Sequence, residues 1–560
     1  MCGGIDVGVL IPQICGRMAS PSSPIDALCF RNRFVETLPG DPVSQNRTRN
    51  VLGACYSRVD PTPVAAPELL AVVPEVAELL DLSPATTPQL TDVLSGNQVL
   101  PGMQPYAACY GGHQFGSWAG QLGDGRAITL TEIENAQGQS FELQLKGAGR
   151  TPYSRRGDGR AVLRSSLREL VCSEAMHHLG VPTTRALSLA LAGESVVRDM
   201  LYDGHPAEEP AAIVARVAPS FLRFGNFEIH AARKDYDTLT RLVQFSATRY
   251  FPQFVREGEG KVDITGLFQE VCERTARLMV EWTRVGFVHG VMNTDNMSLL
   301  GLTIDYGPYG WMDVFDPHWT PNTTDAGGRR YRFGQQPAVA QWNLAQLAGA
   351  LATLVSDVAP LEKSLVAYAD HYAELEQRMW LQKLGLRPGL GEDAVLLRDL
   401  FAALVAIETD MTLFFRCLAD AQAADYATLS SDERLQRMAE SIYDVEAAPA
   451  EQVQVLSRWL DAYAERLRAD DSEGGVDNAN ADANERRERM HAVNPLYVPR
   501  NYLVQQVIDK TEAGDRQALQ ELLAVLRQPY RQQPGREAYT GKRPEWARHK
   551  PGCSMLSCSS

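Results

Sequence analysis

Between positions 286 and 307 the chain reads Gly-Phe-Val-His-Gly-Val-Met-Asn-Thr-Asp-Asn, then Met297 to Gly301, then Leu-Thr-Ile-Asp-Tyr-Gly. His289 opens a tight loop at Gly290. Asp295 and Asn296 close it with two oxygen-bearing side chains in a row. A short apolar hairpin is expected over Met297 to Ile304, with Asp305 at its exit. Amide and carboxylate oxygens are hard donors that suit Mg²⁺, which keeps water and phosphate oxygens as its other ligands. Asn296 and Asp305 are therefore candidate metal ligands, and Asp295 is a candidate proton acceptor. Asn and Asp are also ordinary turn residues, so the reading depends on what the rest of the chain supplies.

Several elements upstream could position this loop. Tyr110 to Arg126 holds six glycines, at 111, 112, 116, 120, 123 and 125. Glycine lets backbone amides approach phosphate closely, although a hairpin turn at Asp124-Gly125 explains part of the run. Strands are expected over Ala127–Ile133 and Phe141–Lys146, around a turn at Asn135 to Gly138. A helix over about 160–179 follows and carries Glu169. Between Leu143 and Arg168 stand Lys146, Arg150, Arg155, Arg156, Arg160, Arg164 and Arg168 against a single acid, Asp158. Polyphosphate is the natural ligand for such a segment, with Arg160, Arg164 and Arg168 read as a solvated helix face. Arg216 lies in an apolar strand over 211–217, and Arg223 follows it. A buried arginine is costly unless an anion pairs with it, and either phosphate or a carboxylate would serve.

The order of parts resembles a protein kinase: glycine-rich loop, strand ending in Lys146, helix with Glu169, catalytic loop, then Asp305-Tyr-Gly in place of Asp-Phe-Gly. Asn296 falls seven residues after His289, as in kinases. One position departs. Val291 stands where a kinase carries its catalytic Asp, and valine cannot accept a proton. Asp295 is the nearest group that can.

The bulk numbers narrow the class. The chain has 560 residues, 44% hydrophobic and 22% charged, with a net charge of −15. That balance argues against nonspecific nucleic-acid binding. No apolar run is long enough for a membrane span, and the N-terminus has neither a secretory signal nor an Arg-rich transit pattern. The cytoplasm is the expected compartment. No Cys-x-x-Cys pair occurs among the ten cysteines, which argues against a structural zinc. Cys553 and Cys558 lie in a small, polar C-terminal tail, expected to be mobile and exposed. Further expectations are irregular chain over 1–25, helices over Pro67–Leu82 and 88–95, a long irregular stretch over Asp313–Pro337, helices over Trp342–Val355 and Val395–Leu418, an acidic loop at 470–482, and a last helical block from Asn494 to about Leu526.

Together, Tyr110–Arg126, Leu143–Gly159, Arg216–Glu228, Phe287–Gly310, Asn322–Phe333, Asn494–Leu503 and the terminal Cys558-Ser-Ser resemble the selenoprotein O family. Some members carry selenocysteine where Cys558 stands. The resemblance implies an α+β, protein-kinase-like two-lobed fold: an N-terminal extension (1–105), a small lobe (106–225), a large lobe with the catalytic and metal loops (226–420), and a helical C-terminal region with a redox-capable tail (421–560). It implies a protein adenylyltransferase that binds ATP inverted, releases pyrophosphate and leaves AMP on a protein Ser, Thr or Tyr hydroxyl. Under that resemblance Gly123, Gly125, Arg126, Lys146, Asp158, Gly159, Arg216, Arg223 and Asp305 contact nucleotide. Asn296 and Asp305 hold Mg²⁺, with Mn²⁺ as an alternative, Asp295 is the proton acceptor, and Glu169 holds Lys146. In some members the terminal cysteine is thought to pair with one in the activation segment. Residues 306–337 contain none, so a thiol partner for Cys558 would lie elsewhere or on another protein. Rival readings are UMP transfer from UTP, a conventional protein kinase and a non-catalytic pseudokinase scaffold.

Overall fold

The computed structural model describes residues 22–256, 261–389, 393–423, 426–473 and 479–557, without the side chains of 471–473 and 479–482. Most of the expected irregular N-terminus (residues 1–21) and the expected thiol Cys558 lie outside the described residues. The strands run β1 Cys29–Arg31, β2 Tyr56–Arg58, β3 Glu68–Val72, β4 Tyr106–Ala108, β5 Gly111–Gln114, β6 Ser117–Gln121, β7 Ala127–Glu134, β8 Ser140–Lys146, β9 Ala161–Val162, β10 Arg185–Arg198, β11 Ala207–Ala218, β12 Phe287–Val288 and β13 Gly310–Trp311. The helices of the first half are α1 Arg33–Thr37, α2 Pro74–Leu79, α3 Pro88–Leu94, α4 Leu163–His178, α5 Phe224–Ala232, α6 Tyr236–Tyr250 and α7 Ile264–Val285. The second half is helical: α8 Gln336–Leu351, α9 Ala359–Lys383, α10 Asp393–Ala406, α11 Met411–Asp420, α12 Ser431–Met438, α13 Ala450–Glu473, α14 Ala479–Val493, α15 Asn501–Glu512 and α16 Gln517–Leu526. This is a mixed α+β architecture.

The large sheet is antiparallel, in the order β2-β4-β7-β8-β11-β10-β3, with β1 on β7 and β9 on β11. Lys146 pairs with Val214 and Gln144 with Arg216 across β8 and β11. Side chains two apart on a strand share a face, so Gln144 and Lys146 point the same way. One core packs this sheet against α3, α4, α15 and α16. A second gathers α6, α7 and α8 beneath the catalytic loop, and a third holds α10, α11 and α13 together.

The expected strands over 127–133 and 141–146 and the helices at 88–95 and 160–179 are present, with small shifts at their ends. Several expectations are corrected. Pro67–Leu82 is not one helix. Leu69 to Val72 lies in β3, which pairs with Ser188–Leu191, and Pro74 then starts α2 at its first position, where a missing N–H costs nothing. The 395–418 helix is broken, because Asp410 caps α11 by accepting from the Leu413 amide at 3.0 Å. Helices α13 and α14 run into the expected 470–482 loop from both sides, and its centre, 474–478, lies outside the described residues. The glycine-rich run forms the hairpin β5–β6 with its turn at Phe115-Gly116, not at Asp124-Gly125. The apolar stretch after Asn296 does not pair with itself: Ser298 bridges to Arg223 and Thr303 to Thr183. Nor do the helix arginines face solvent. Helix α4 is buried on nearly all sides, so Arg164 forks onto Glu209 at 2.9 and 3.0 Å and Arg168 donates to the Tyr309 carbonyl at 2.6 Å. Arg160, just before α4, pairs with Glu194 at 2.7 Å.

The tail is docked rather than exposed as far as Ser557. The Thr323 amide donates to the Leu556 carbonyl at 2.8 Å, and the Leu556 amide to the Pro321 carbonyl at 3.1 Å. Cys553 is buried, and burial pushes its thiol up to about 11.

Candidate nucleotide and metal site

The catalytic loop is anchored at both ends. Its first residues, β12, pair with β13. His289 stacks on Trp282 with ring centroids 5.3 Å apart, and its Nε2 lies 2.9 Å from the Ile304 carbonyl. Burial lowers its pKa, so a neutral ring holds the loop against the residue before Asp305. Asp305 has φ +54, the left-handed region that Asp tolerates better than most residues. Val291 is a buried apolar side chain whose carbonyl accepts from Asn296 Nδ2 at 2.9 Å. That bond leaves the Asn296 amide oxygen as the donor available to a cation.

Around Asp305 the structure brings most of the expected residues into one network. Lys146 Nζ donates to Glu169 Oε2 at 2.6 Å. Arg216 bridges Glu169 at 3.0 Å and Asp305 at 2.5 Å, and a second arm reaches Gln144. Arg223 binds the other Asp305 oxygen and donates to the Asp295 carbonyl at 2.7 Å. A single guanidinium nitrogen thus touches both the Asp305 carboxylate and the backbone of the loop that holds Asp295. The Arg223 guanidinium also lies 3.7 Å from Asp124 and covers the Tyr110 ring at 4.7 Å. Burial opposes the charge on Asp305, but Arg223, Arg216 and Lys146 outweigh it and hold the carboxyl well below its usual range. Glu169 is likewise held down, by Lys146 and Arg216 against its burial. Burial lowers Lys146 and Arg126, and Glu169 and Asp305 partly restore both.

Asp295 behaves oppositely. One carboxylate oxygen receives Gln114 Nε2 at 3.4 Å; the other is buried without a hydrogen-bond partner. Burial pushes its pKa up to about 7, with Arg223 and Gln114 offsetting only part of that. Burial also raises Asp124. Lys146, Arg126, Arg216 and Arg223 therefore face Glu169 and Asp305 as firm anions, with Asp124 and Asp295 pushed toward the neutral acid. The excess positive charge suits an anionic ligand.

The remaining expected residues, Gly123, Gly125, Asp158 and Gly159, have local roles in the fold. Gly123 turns at φ +80 with the Tyr153 ring 2.4 Å from where a Cβ would stand, and at Gly159, φ +79, a Cβ would lie 2.1 Å from the Gly149 carbonyl carbon. Gly125 follows Asp124 and packs against the Tyr153 carbonyl. Asp158 forks onto Arg198 at 2.8 and 2.9 Å. Its pKa is lowered because Arg198, the Arg160 amide and Arg126 outweigh burial. Asp124, Gln144, Gln114 and Tyr110 belong to the network but were not singled out from sequence. For Gln144 a signal existed, since it lies two residues before Lys146 on the same strand face. For Gln114 there was none, because its approach to Asp295 depends on where the hairpin folds.

A family model described as protein adenylyltransferase SelO matches residues 44–527. The chain belongs to that family. It is 57% identical over 535 residues to protein nucleotidyltransferase YdiU of Azoarcus sp., covering 95% of this chain and 99% of the relative. It is 54% identical over 542 residues to the protein of the same name from Rhodopirellula baltica, and 55% identical over 537 residues to that from Xanthomonas campestris pv. campestris, each with 95% of this chain and 99% of the relative covered. As a SelO family member the chain is a protein nucleotidyltransferase. Among the described residues no helix is long and apolar enough to cross a membrane.

Proposed function

We propose that this SelO family member transfers AMP from ATP to Ser, Thr or Tyr hydroxyls of proteins, on a protein-kinase-like two-lobed framework. The observation that carries the reading is Asp295: a buried carboxylate with one unpartnered oxygen and a pKa near 7, one loop step from an Asp305 clamped by two arginines. A base that titrates near neutrality can take a hydroxyl proton at the pH where the enzyme works. The hydroxyl oxygen attacks the α-phosphorus in line, the bond to the pyrophosphate oxygen breaks, and Asp295 accepts the proton. Lys146, Arg126, Arg216 and Arg223 hold the polyphosphate and offset the charge of the leaving pyrophosphate. Gly123, Gly125, Asp158 and Gly159 line the nucleotide's rim.

The amide oxygen of Asn296 and the carboxylate of Asp305 are the hard-oxygen set that Mg²⁺ or Mn²⁺ takes, and Arg223 ties their two loops together. A bound ion there would supply neutralisation of phosphate charge.

Self-labelling with ATP carrying its label on the α- or the γ-phosphate tests the reading, with Asp305→Ala and Asp295→Ala as controls and UTP in parallel. Adducts from the α-label alone, lost in both variants, are expected. Transfer of the γ-label would instead make the chain a conventional kinase. Efficient labelling from UTP with none from ATP would replace AMP by UMP. ATP binding without any adduct would leave a pseudokinase scaffold.

A further inference from the structure

The β5–β6 hairpin lies across the catalytic loop. The His113 amide donates to Thr294 Oγ1 at 2.7 Å and the Phe115 amide to Asn293 Oδ1 at 3.2 Å and Tyr331 Oη at 2.9 Å. Gln114, between them, reaches Asp295. The tip of this hairpin nevertheless leaves two large aromatics in solvent, Phe115 and Trp118, each 40% exposed. Exposed aromatics next to a reaction centre are the type of side chain that anchors a polypeptide.

Beside the tip stands an unusual concentration of charge. Arg329, Arg330 and Arg332 occupy three of four successive positions in a chain of net charge −15. Among the described residues none of the three forms a salt bridge. Arg330 lies over the Trp342 ring at 4.6 Å, and its guanidinium carbon is 3.4 Å from where a Cβ on Gly116 would stand. The nearby Asp325 uses its oxygens on the backbone amides of Arg330 and Tyr331, at 2.9 and 2.7 Å. Arg332 bonds Gln335 and the Arg329 carbonyl, both uncharged acceptors. Elsewhere in the molecule Arg164 of α4, Arg216 of β11 and Arg500 before α15 are matched to carboxylates; these three are not.

We infer that the face formed by Phe115, Trp118 and the Arg329–Arg332 turn docks the acceptor polypeptide and selects segments that carry acidic side chains close to the modified hydroxyl. The inference rests on the protein-AMP-transfer reading above and names its acceptor class. The aromatics cover the apolar part of the acceptor, the arginines take its carboxylates, and the hydroxyl is delivered to Asp295 across Gln114. Charge complementarity of this kind acts on encounter and register and weakens with salt.

The test uses the full chain, α-labelled ATP and two synthetic peptides with the same Ser, Thr and Tyr acceptors, flanked by glutamates in one and by lysines in the other. The glutamate peptide is expected to be labelled with a kcat/KM at least about tenfold higher, the difference residing in KM and shrinking as salt rises. The double variant Arg329→Glu, Arg330→Glu should reverse the preference while its ATP affinity stays unchanged, and Arg329→Glu alone, at an exposed position, should weaken the preference with the melting temperature unchanged. Phe115→Ser should raise KM for both peptides. If the chain labels itself yet treats both peptides alike, or the double variant keeps the original preference, the inference is overturned and AMP transfer stands. If neither peptide is labelled, the glutamate peptide must inhibit self-labelling more than the lysine peptide; equal or absent inhibition overturns the inference as well. If α-label reaches neither peptide nor the chain itself, the AMP-transfer reading falls and takes this inference with it.

Discussion

Under the proposed AMP transfer, a carboxylate that accepts a proton near neutral pH has to be kept from pairing too well, a condition that Asp295 meets and Asp305 does not. Asp305 is over-paired and stays ionised; Asp295 is under-paired and titrates near 7. The folded pKa of Asp295 lies above its unfolded value. Its contribution to stability is therefore fully present below about pH 4 and is lost as pH rises toward about 7. Asp295→Asn cannot ionise. It should abolish AMP transfer yet raise the melting temperature of the free protein, by about 2 °C at pH 8, with the gain shrinking below pH 7 and nearly gone at pH 4. Calorimetry across that range checks the sign, and a melting temperature unchanged or lowered at pH 8 would count against a strained, under-paired carboxylate. Gln144 offers a second check. Its amide oxygen accepts from one arm of Arg216 and its Nε2 lies 3.5 Å from Asp124. Gln144→Leu keeps the volume but leaves that arm of Arg216 without its acceptor, while Asp124 keeps the Ala108 amide at 3.1 Å, so unfolding should become easier by roughly 1–3 kcal/mol, and the KM for ATP should rise more than kcat falls. As candidates, the oxygen donors seven and sixteen residues beyond one histidine could be read from the sequence only together with the glycine-rich run, Lys146 and Glu169, because Asn and Asp alone are ordinary turn residues. Asp124 and Gln114 could not, since their roles exist only after the strands register.

At the level of elements, sequence periodicity locates long helices and fails where a short apolar run fits a strand as well as a helix. Leu69 to Val73 is apolar at successive positions, which fits a buried strand as well as a helix; pairing with β10 decides it. Helix α4 is legible in the sequence but the burial of the arginines around its start is not, because the acids that meet Arg164 and, just before the helix, Arg160 are Glu209 and Glu194, tens of residues away. The tail was misjudged for the same reason. Small polar residues say nothing about a distant partner strand, yet Leu556 pairs with the segment at Pro321 to Thr323. Asn322, in that segment, donates to the Gly290 carbonyl at 3.0 Å, so the tail braces the catalytic loop at one remove. Ending the chain at Lys550 should leave ATP affinity intact while making residues 313–337 cleavable by trypsin, whose sites there are Arg329, Arg330 and Arg332. Equal cleavage rates with and without the tail would mean that the segment holds its shape unaided.

Across the whole molecule the C-terminal helices are tied to the site by buried polar contacts as well as by the apolar core that α15 and α16 share with the sheet and α4. Arg500, just before α15, is buried and binds Asp410 through two nitrogens at 2.7 and 2.9 Å and Asp313 at 2.9 Å. Asn501 adds a two-way bond to the Trp311 backbone, at 3.1 and 3.0 Å, extending the edge of β13. One short motif therefore fastens three segments: the strand after Asp305, the cap of α11 and the start of α15. Removing the cation would leave two buried carboxylates without their bonded counter-charge, which typically costs about 3–5 kcal/mol. Arg500→Met, which keeps much of the side chain's length without its charge, should accordingly lower the unfolding free energy by about that much at pH 8. Burial already raises Asp313, and Arg500 only partly offsets it. Without Arg500 the carboxyl should protonate more readily, so the deficit of the variant should narrow as pH falls from 8 to 5. A loss of packing alone would be independent of pH. Denaturant melts of both proteins at the two pH values separate these cases: a deficit that narrows on acidification assigns the cost to stranded charge, and a constant deficit would show that Arg500 acts mainly by filling space.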